Sequence, residues 1–344
     1  MHRASVAAQV LAAALCFSVG QRTPLQQWHR AVSNLTRTNA ADRHGARSGR
    51  HAGADITEQA WAIVGWPPKA FDSRLYRTHQ DALFRIRPKM LPFEADHLKE
   101  LVRVYLAACL KANILTYARG GTLFGAIRHH DFVPWDDDLD VVLDVSDGDK
   151  LGRLTAALVL DGVVIHDGPA AGLQRVAYAR PPAWKTMNGD AFPTFDLVPV
   201  VRKGGWFHSV WYQSYRMPLD AIQNVEPVVY RPFAGLSLPT PNNIGVIYNK
   251  RLTFADVVEV CKISNVHHFD GRRAKAAQTY SVPCQALHHV LPMAQKIVEA
   301  ELGGDAYYVE LFGIPANRSH QLWLTPRGRG GASALLAERQ ARQR

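Results

Sequence analysis

The segment from Gly120 to Asp144 reads GGTLFGAIRHHDFVPWDDDLDVVLD and constrains the fold more than any other part of the chain. Its last residues alternate, which predicts a strand with Leu139 and Val141 on one face and Asp138 and Asp140 on the other. The Cα atoms of the two aspartates would then lie roughly 6.5 to 7 Å apart. We therefore expect two carboxylates to share one face of a strand whose other face is buried.

These acids are candidate metal ligands, because carboxylate oxygens converge readily on hard cations such as Mg²⁺, with Mn²⁺ as the alternative. The alternation makes Asp138 and Asp140 the candidates on the strand and leaves Asp137 outside the alternating set. Burying this much negative charge without a cation would be costly.

Two other interpretations of the acidic run are weaker. A solvated loop is disfavoured because Pro134 and Trp135 precede the acids and an apolar strand pattern follows them. In a calcium loop starting at Asp136, Val141 would occupy the position of the essential Gly and Asp147 that of the bidentate Glu.

A second acidic strand is predicted later in the chain, where Asp196 stands between Phe195 and Leu197. A lone acid in a strand commonly faces solvent. However, a further strand that delivers one acid beside a strand with paired acids completes the ligand set of a two-metal phosphoryl-transfer site. We therefore add Asp196 to the candidate metal ligands.

The net charge of +10 does not indicate a nucleic-acid-binding domain. Residues 53 to 326 contain 28 Lys and Arg and 28 Asp and Glu, so this portion is neutral. The excess lies in the two tails, where arginines greatly outnumber acids. A basic groove for nucleic acid on the folded part is therefore not expected.

The ends of the chain predict four regions. Residues 1–20 carry a cationic start and a short apolar run, typical of a secretory signal peptide or a retained membrane anchor. Residues 21–65 form a polar stalk, 66–325 the catalytic domain and 326–344 a disordered basic tail. The predicted location is the secretory pathway, in the Golgi or the ER lumen, with an organellar transit peptide as the alternative.

Periodicity predicts a helix from Glu94 to Asn113, a short strand from Leu115 to Ala118, and a helix starting at Leu123 after a Gly120-Gly121-Thr122 turn. Backbone N–H groups at such a helix start suit a phosphate. Further predictions are a helix over 149–160, strands over 163–166, 174–179 and 195–201, and a helix over 244–251 capped by Asn243.

The cysteines show no zinc spacing, and the paired histidines along the chain have no regular partner spacing. Cys109 falls within the helical pattern and is interpreted as a small core residue. Cys261 and Cys284 are able to pair in an oxidising lumen.

The block GGTLFGAIRHHDFVPWDDDLD resembles the signature of the LicD family, which includes bacterial phosphocholine transferases and the fukutin and fukutin-related proteins. The likeness covers roughly Leu98 to Arg251 and extends to Arg175 through Tyr178, Phe195-Asp196-Leu197 and Pro241-Asn242-Asn243. It implies an α/β (α+β) chain with a nucleotidyltransferase-like mixed β-sheet flanked by helices, in agreement with the predicted elements.

The resemblance further implies transfer of a phospho-substituent (phosphocholine, phospho-alditol or glycosyl phosphate) from a nucleotide-activated, typically CDP-linked donor onto a hydroxyl of a glycan or glycoprotein. It makes Asp136, Asp138, Asp140 and Asp196 the metal-associated acids. Asp138, Asp140 and Asp196 are the candidate catalytic residues, and Asp196 is the candidate base.

The candidate donor-binding residues are Gly120, Gly121, Thr122, Arg128, His129 and Arg175. The two arginines suit forked contacts with phosphate, with salt bridges to a neighbouring Asp as the alternative. His129 matches the family signature and either orients a carboxylate or touches substrate.

Two departures from the family limit this prediction. The sequence shows no Cys-rich zinc-binding insertion like that of fukutin-related proteins, so ribitol phosphate is not assigned as the transferred group. The family's motifs also end before about Lys250. Two competing hypotheses keep the fold: transfer of the nucleotide itself, and a non-catalytic lumenal binding protein.

Overall fold

The computed structural model describes residues 51–64, 90–167, 174–180, 193–210, 218–244, 257–264, 279–288, 290–314 and 319–327. The chain divides into two compact units, Met1–Gly53 and Ala54–Arg344, and the contacts described below lie in the second. The helices are α1 (His51–Val64), α2 (Pro92–Ala112), α3 (Gly120–Arg128), α4 (Gly148–Leu160) and the short α5 (Ile222–Val225).

The strands of the central sheet are β1 (Thr116–Arg119), β2 (Asp140–Asp144), β3 (Val163–Asp167), β4 (Gln174–Tyr178), β5 (Thr194–Lys203), β6 (Trp206–Ser209) and β7 (Pro218–Ala221). The remaining strands are β8 (Val229–Phe233), β9 (Leu236–Thr240), β10 (Val260–Ser264), β11 (Thr279–Pro283), β12 (Met293–Leu302), β13 (Asp305–Ile314) and β14 (Ser319–Pro326). A 3₁₀ turn over Cys284–Leu287 follows β11.

The central sheet has the strand order β1-β2-β5-β4-β3, and β6 pairs with both β5 and β7. Strands β2 and β5 are parallel, whereas β1 with β2 and β4 with β5 are antiparallel. This mixed sheet, flanked by helices, confirms the predicted nucleotidyltransferase-like fold class. Three smaller antiparallel sheets, β8-β9, β10-β11 and β12-β13-β14, lie outside it.

The two faces of β2 pack in different clusters. Leu139, Val141 and Leu143 belong to the main core, together with apolar residues of α2, α3 and α4. Val142 belongs to a separate cluster with Tyr117, Val198 and Phe207. The predicted alternation is therefore confirmed from Leu139 onwards, and it assigns the acidic positions of β2 to the face opposite the main core.

Helix α2 matches the predicted helix closely. Its buried stripe includes Leu98, Leu101, Tyr105 and Cys109, which recur at helical spacing. The carboxylate of Glu94 accepts a hydrogen bond from the Leu91 amide at 2.7 Å and so satisfies one donor at the helix start. The helix therefore presents a continuous apolar face to the sheet.

Helix α1 lies within the stretch that was expected to be a polar stalk, and this expectation needs correction. Ala60 and Val64 are buried against Leu302, Val309 and Leu311 of the C-terminal sheet. The pattern is one short stripe of apolar residues four apart. The residues that bury this stripe belong to a sheet far along the chain, so the local sequence does not reveal that the helix packs. The folded part therefore reaches back beyond the predicted start at residue 66.

Several predictions fall outside the described residues. These are the signal or anchor at 1–20, the stalk up to residue 50, the tail from 328 onwards, and the helix over 244–251 beyond its first residue. Among the helices that the structure does describe, none combines the length and apolar character needed to cross a membrane.

Candidate functional site

Four charged residues form one row across the central sheet. Asp140 in β2 is the register partner of Asp196 in the parallel strand β5. Arg119 in β1 pairs with Asp140 on one side, and Arg175 in β4 pairs with Asp196 on the other. Because register partners in neighbouring strands share a face, this row sets two carboxylates side by side between two guanidinium groups.

The carboxylates of Asp138, Asp140 and Asp196 converge. One oxygen from each lies within 4.8 Å of the others, and all three residues are half-buried. A set of carboxylate oxygens with partial access to water is the donor set that Mg²⁺ and Mn²⁺ prefer. The residues present therefore fit the metal that the sequence predicts.

A second group of carboxylates overlaps the first through Asp138. Oxygens of Asp136, Asp137 and Asp138 also lie within 4.8 Å of one another. Asp137, which the sequence analysis omitted from the candidate site, is 2% exposed. The omission assumed strand alternation through the acidic run, whereas β2 begins only at Asp140 and the preceding acids lie in a loop.

Gly120 and Gly121 are required because aspartate carboxylates lie too close to the backbone there to leave room for a side chain. Helix α3 begins directly at Gly120 and not at Leu123, so both glycines lie in its first turn. A Cβ at Gly120 would overlap the carboxylate of Asp140, and one at Gly121 would overlap that of Asp136. Gly120 also has a φ of +56°, which favours glycine. The positive end of α3 thus approaches the acids and stabilises their charge.

Thr122 contacts the acidic segment directly. Its buried hydroxyl accepts a hydrogen bond from the backbone N–H of Asp140 at 2.7 Å. This bond holds the start of β2 against the first turn of α3. Thr122 was predicted to bind phosphate, and the structure instead shows its hydroxyl oxygen bonded to the backbone of a candidate metal ligand.

Arg175 forms an ion pair with Asp196. Its Nε donates to Oδ1 of Asp196 at 2.9 Å, and the two side chains are only 13% and 21% exposed. The salt bridge that the sequence left as an alternative is therefore present, and its partner is a member of the acid cluster. Arg175 fixes the orientation of Asp196 and brings a positive charge to the edge of the candidate metal site.

The structure places Arg128 and His129 in the protein interior. Nε of Arg128 donates to the carbonyl of Val257 at 2.7 Å, and burial lowers the pKa of this guanidinium to about 10. Nδ1 of His129 lies 3.2 Å from the carbonyl oxygen of Pro292, and burial lowers the pKa of the imidazole to about 3, so it is neutral. Both residues are 5% exposed and contact backbone carbonyls, and their assignment as phosphate ligands stays a prediction.

Sequence patterns did not reveal Arg119. This residue directly precedes the double glycine and carries the N-cap position of α3. Its position beside Asp140 follows from the antiparallel pairing of β1 with β2. Pairing the predicted strand at Leu115 to Ala118 with the acidic strand, and extending it by one residue, would have found it.

A second charged cluster lies away from this row and is fully buried. Arg231 and Glu310 are 0% exposed and form an ion pair. Nε2 of His130 lies 2.8 Å from the other carboxylate oxygen of Glu310, and its ring stacks on Phe312 with centroids 4.3 Å apart. Burial alone raises the pKa of Glu310, but Arg231 and His130 outweigh it and bring that pKa below its ordinary value.

Comparison with known proteins identifies the same segment. Residues 113–243 match the family model described as LicD/FKTN/FKRP, nucleotidyltransferase domain. The ribitol 5-phosphate transferase FKRP of Mus musculus and that of Homo sapiens are each 30% identical over 151 residues, covering 42% of this chain and 29% of each relative. The lipopolysaccharide cholinephosphotransferase LicD of Haemophilus influenzae is 54% identical over 37 residues, covering 11% of this chain and 14% of that protein.

The match therefore spans less than a third of the length of each FKRP relative. The family model's range includes Gly120 to Asp144, the strand that carries Asp196, and the whole charged row. Over residues 113–243, this chain is therefore similar to the nucleotidyltransferase domain of the LicD/FKTN/FKRP family.

Proposed function

We propose that this chain is a metal-dependent transferase that moves a phospho-substituent from a nucleotide-linked donor onto a glycan hydroxyl. One observation carries the proposal: oxygens of Asp138, Asp140 and Asp196 converge within 4.8 Å on the face of the sheet opposite the main core. Two kinds of relative support it, because their names describe transfer of ribitol 5-phosphate and of cholinephosphate.

The proposed metal is Mg²⁺, held by Asp138, Asp140 and Asp196, with Asp136 beside them. Bound there, Mg²⁺ supplies charge neutralisation for the donor's diphosphate. Thr122 and the first turn of α3 keep Asp140 in place through the hydrogen bond to its backbone N–H. The overlap that any side chain at Gly120 would create explains why this turn needs glycine.

Arg175 and Asp196 have complementary roles in the proposed reaction. Nε of Arg175 donates a hydrogen bond to Oδ1 of Asp196. We assign the terminal N–H groups of Arg175 to a phosphate oxygen of the donor. Oδ2 of Asp196 is the atom assigned to the cation or to the proton of the acceptor hydroxyl. Arg119, on the opposite side of the row, adds a second positive charge near the same diphosphate.

The CDP-linked donor, the glycan or glycoprotein acceptor and the secretory location are also proposals. The location is supported by the disulfide between Cys261 and Cys284, because such bonds persist in oxidising compartments. The N-terminal signal or membrane attachment stays a prediction from the sequence.

Replacing Asp138 by Asn tests the proposed function. We expect transfer to fall by about 10²-fold or more while the variant keeps its secondary structure and cooperative unfolding. Full activity in Asp138→Asn would contradict the proposal. The control is Asp161→Asn, which changes an exposed acid at the end of α4.

Product analysis separates the proposed reaction from transfer of the nucleotide itself. The wild-type chain is incubated with Mg²⁺, a glycan acceptor and either a CDP-linked donor or CTP, and the released products are identified. Release of cytidine monophosphate supports transfer of the phospho-substituent, whereas release of pyrophosphate from CTP supports nucleotide transfer. A thermal-shift screen of CDP-, GDP- and UDP-linked compounds identifies the base, because a ligand that binds the native state raises its Tm. Absence of any metal-dependent nucleotide binding would favour a non-catalytic protein.

A further inference from the structure

Three side chains of the signature segment bind backbone carbonyls of a distant part of the chain. Nε and Nη2 of Arg128 donate to the carbonyls of Val257 and Val260, at 2.7 and 3.3 Å. Nε1 of Trp135 donates to the carbonyl of Lys262 at 2.8 Å. With the contact of His129 to the Pro292 carbonyl, the signature meets the start of β10 and the segment before β12.

The strand pair β10-β11 is cross-linked. Cys261 in β10 forms a disulfide with Cys284, which directly follows β11. Both cysteines are fully buried, and they pack in one apolar cluster with Val133 and Trp135. The acceptor for Trp135, Lys262, is the residue after Cys261. The disulfide therefore lies at the surface on which Trp135 rests.

Trp135 is the residue immediately before the acid cluster. The turn that leads into the cluster is closed by a hydrogen bond from the Asp136 amide to the Val133 carbonyl at 2.9 Å. Both Val133 and Trp135 in this turn pack against β10-β11 and its disulfide. Arg128 and His129, at the other end of α3, contact the carbonyls of Val257 and Pro292. The first turn of the same helix approaches Asp136 and Asp140. The acidic segment is thus supported from two directions by the same C-terminal region.

We propose that the disulfide-linked β10-β11 pair positions the metal centre, with Trp135 and Arg128 as positioning residues that act through the backbone of the acidic segment. The inference rests on the metal site of the proposed function. Carboxylates chelate a cation only when their oxygens are held at the required spacing, so loosening the supporting surface lowers metal affinity before it unfolds the domain.

The proposal also makes the metal centre sensitive to reduction. A dithiol such as dithiothreitol transfers two electrons by thiol–disulfide exchange: its two thiols become a cyclic disulfide, and Cys261 and Cys284 become thiols. The Lys262 carbonyl that accepts the hydrogen bond from Trp135 then belongs to a strand pair that is no longer cross-linked. We expect reduction to weaken metal binding.

The first experiment compares Trp135→Phe with a matched control, Tyr308→Phe. Each change removes one hydrogen bond to a backbone carbonyl, since the Tyr308 hydroxyl donates to the carbonyl of Asn242 at 2.5 Å. Mn²⁺ binding is measured by calorimetry, and Tm by differential scanning fluorimetry. We expect Tm to fall in both variants, and further in Trp135→Phe because its smaller ring leaves a cavity, but an approximately 10-fold loss of Mn²⁺ affinity only in Trp135→Phe.

Equal Mn²⁺ affinities of the two variants would overturn the proposal, because Trp135 would then be merely structural. Arg128→Lys provides a second test: a single ammonium group cannot reproduce the contacts to both carbonyls, so a loss of affinity without a change in secondary structure is expected.

The second experiment measures hydrogen exchange at the amides of Asp136 and Asp140 with and without dithiothreitol. We expect reduction to accelerate exchange at both amides in the wild-type chain and to have no effect in a Cys261→Ala/Cys284→Ala variant. Reduction of Cys261 and Cys284 is verified by mass spectrometry after alkylation, and unchanged exchange in wild type shown to be reduced would overturn the proposal. If the wild type binds no Mn²⁺ while exchange responds to reduction, the metal-dependent function fails but the positioning role stands.

Discussion

The two charged clusters of this molecule differ in how their charge is balanced. In the acid cluster, Asp138, Asp140 and Asp196 converge on a half-buried position, and Arg175 pairs with one of them. In the buried cluster, Glu310 contacts both Arg231 and His130, and neither Arg231 nor Glu310 is exposed to solvent. The acid cluster brings several carboxylates together, whereas the buried cluster places one carboxylate between two basic side chains.

This difference separates a structural cluster from a functional one. A carboxylate fully removed from water is stable only with partners, so the buried cluster has the composition needed to hold the C-terminal sheet against α3 and β8. Converging acids that keep contact with water destabilise one another and are relieved by an added cation. The buried cluster should therefore respond to mutation through stability, and the acid cluster through metal binding and activity.

The largest effect is expected from Glu310→Gln. The change leaves the guanidinium of Arg231 buried without its counter-charge, so we expect a loss of about 3 to 5 kcal/mol in the free energy of unfolding. Urea denaturation measures this loss. The control is Glu100→Gln, which breaks the exposed pair with Arg103 and should cost less than about 1 kcal/mol. A loss for Glu310→Gln no larger than the control's would remove the distinction between the clusters.

The opposite pattern is expected from Asp140→Asn. Transfer activity should fall on the order of 10²-fold or more, because the site loses a proposed metal ligand. The free energy of unfolding should stay constant or rise slightly, because one of several repelling charges is removed. Activity assays and urea denaturation of the same preparation test the expected loss of activity and the expected free energy of unfolding. A destabilisation comparable to that of Glu310→Gln would show that the acid cluster also supports the fold.

A pH dependence of stability is expected from His129. Burial holds its pKa at about 3 in the folded state, well below the ordinary value of about 6.5. The unfolded state therefore binds the proton first, so stability is unaffected above about pH 6.5 and falls as the pH drops towards 3. At pH 4.5 the loss should reach about 2 to 3 kcal/mol.

His129→Gln tests this origin of acid sensitivity, because Gln keeps a donor for the Pro292 carbonyl and does not titrate. Urea denaturation at pH 7.5 and 4.5 should show a smaller difference in the variant than in the wild type. The control is His166→Gln on β3, which replaces an exposed histidine. An equal pH dependence in the wild type and His129→Gln would contradict the assignment.

The smallest effect is expected from Arg175→Lys. The positive charge stays, but a single ammonium group cannot hold Asp196 and a phosphate oxygen in the forked geometry of a guanidinium. We expect the KM for the donor to rise about 10-fold, with a smaller change in kcat. Arg103→Lys, at the surface pair with Glu100, is the control. If Arg175→Lys changes only the stability, Arg175 does not bind the donor and serves only in its ion pair with Asp196.

Much of the site was predictable because its chemistry lies close together in sequence. Asp136, Asp138 and Asp140 fall within one signature, and the alternation from Leu139 onwards assigned the two faces of β2 correctly. The omission of Asp137 followed from the same rule. Alternation holds only inside a strand, and the acids before Asp140 lie in a loop that directly follows Trp135, which packs on β10-β11.

The contacts of Arg128 escaped sequence analysis for a different reason. A guanidinium next to a phosphate-binding motif suggests a ligand, but its hydrogen-bond partner, the Val257 carbonyl, lies 129 residues along the chain. No local pattern identifies that partner, since every residue offers the same carbonyl group. The stalk prediction was wrong at α1 for a similar reason, because its apolar stripe has meaning only beside β13 and β12.

The sequence by itself determined the main secondary structure around the site, the sign of the clustered charges, and the family that the domain resembles. These depend on residue type and on periods of two to four residues, which a linear chain displays directly. The tertiary structure decided that Asp196 stands beside Asp140, that Arg119 joins the row, that Cys261 pairs with Cys284, and that Glu310 is enclosed by Arg231 and His130. Those contacts depend on strand register and on long-range packing, which only the folded chain brings about.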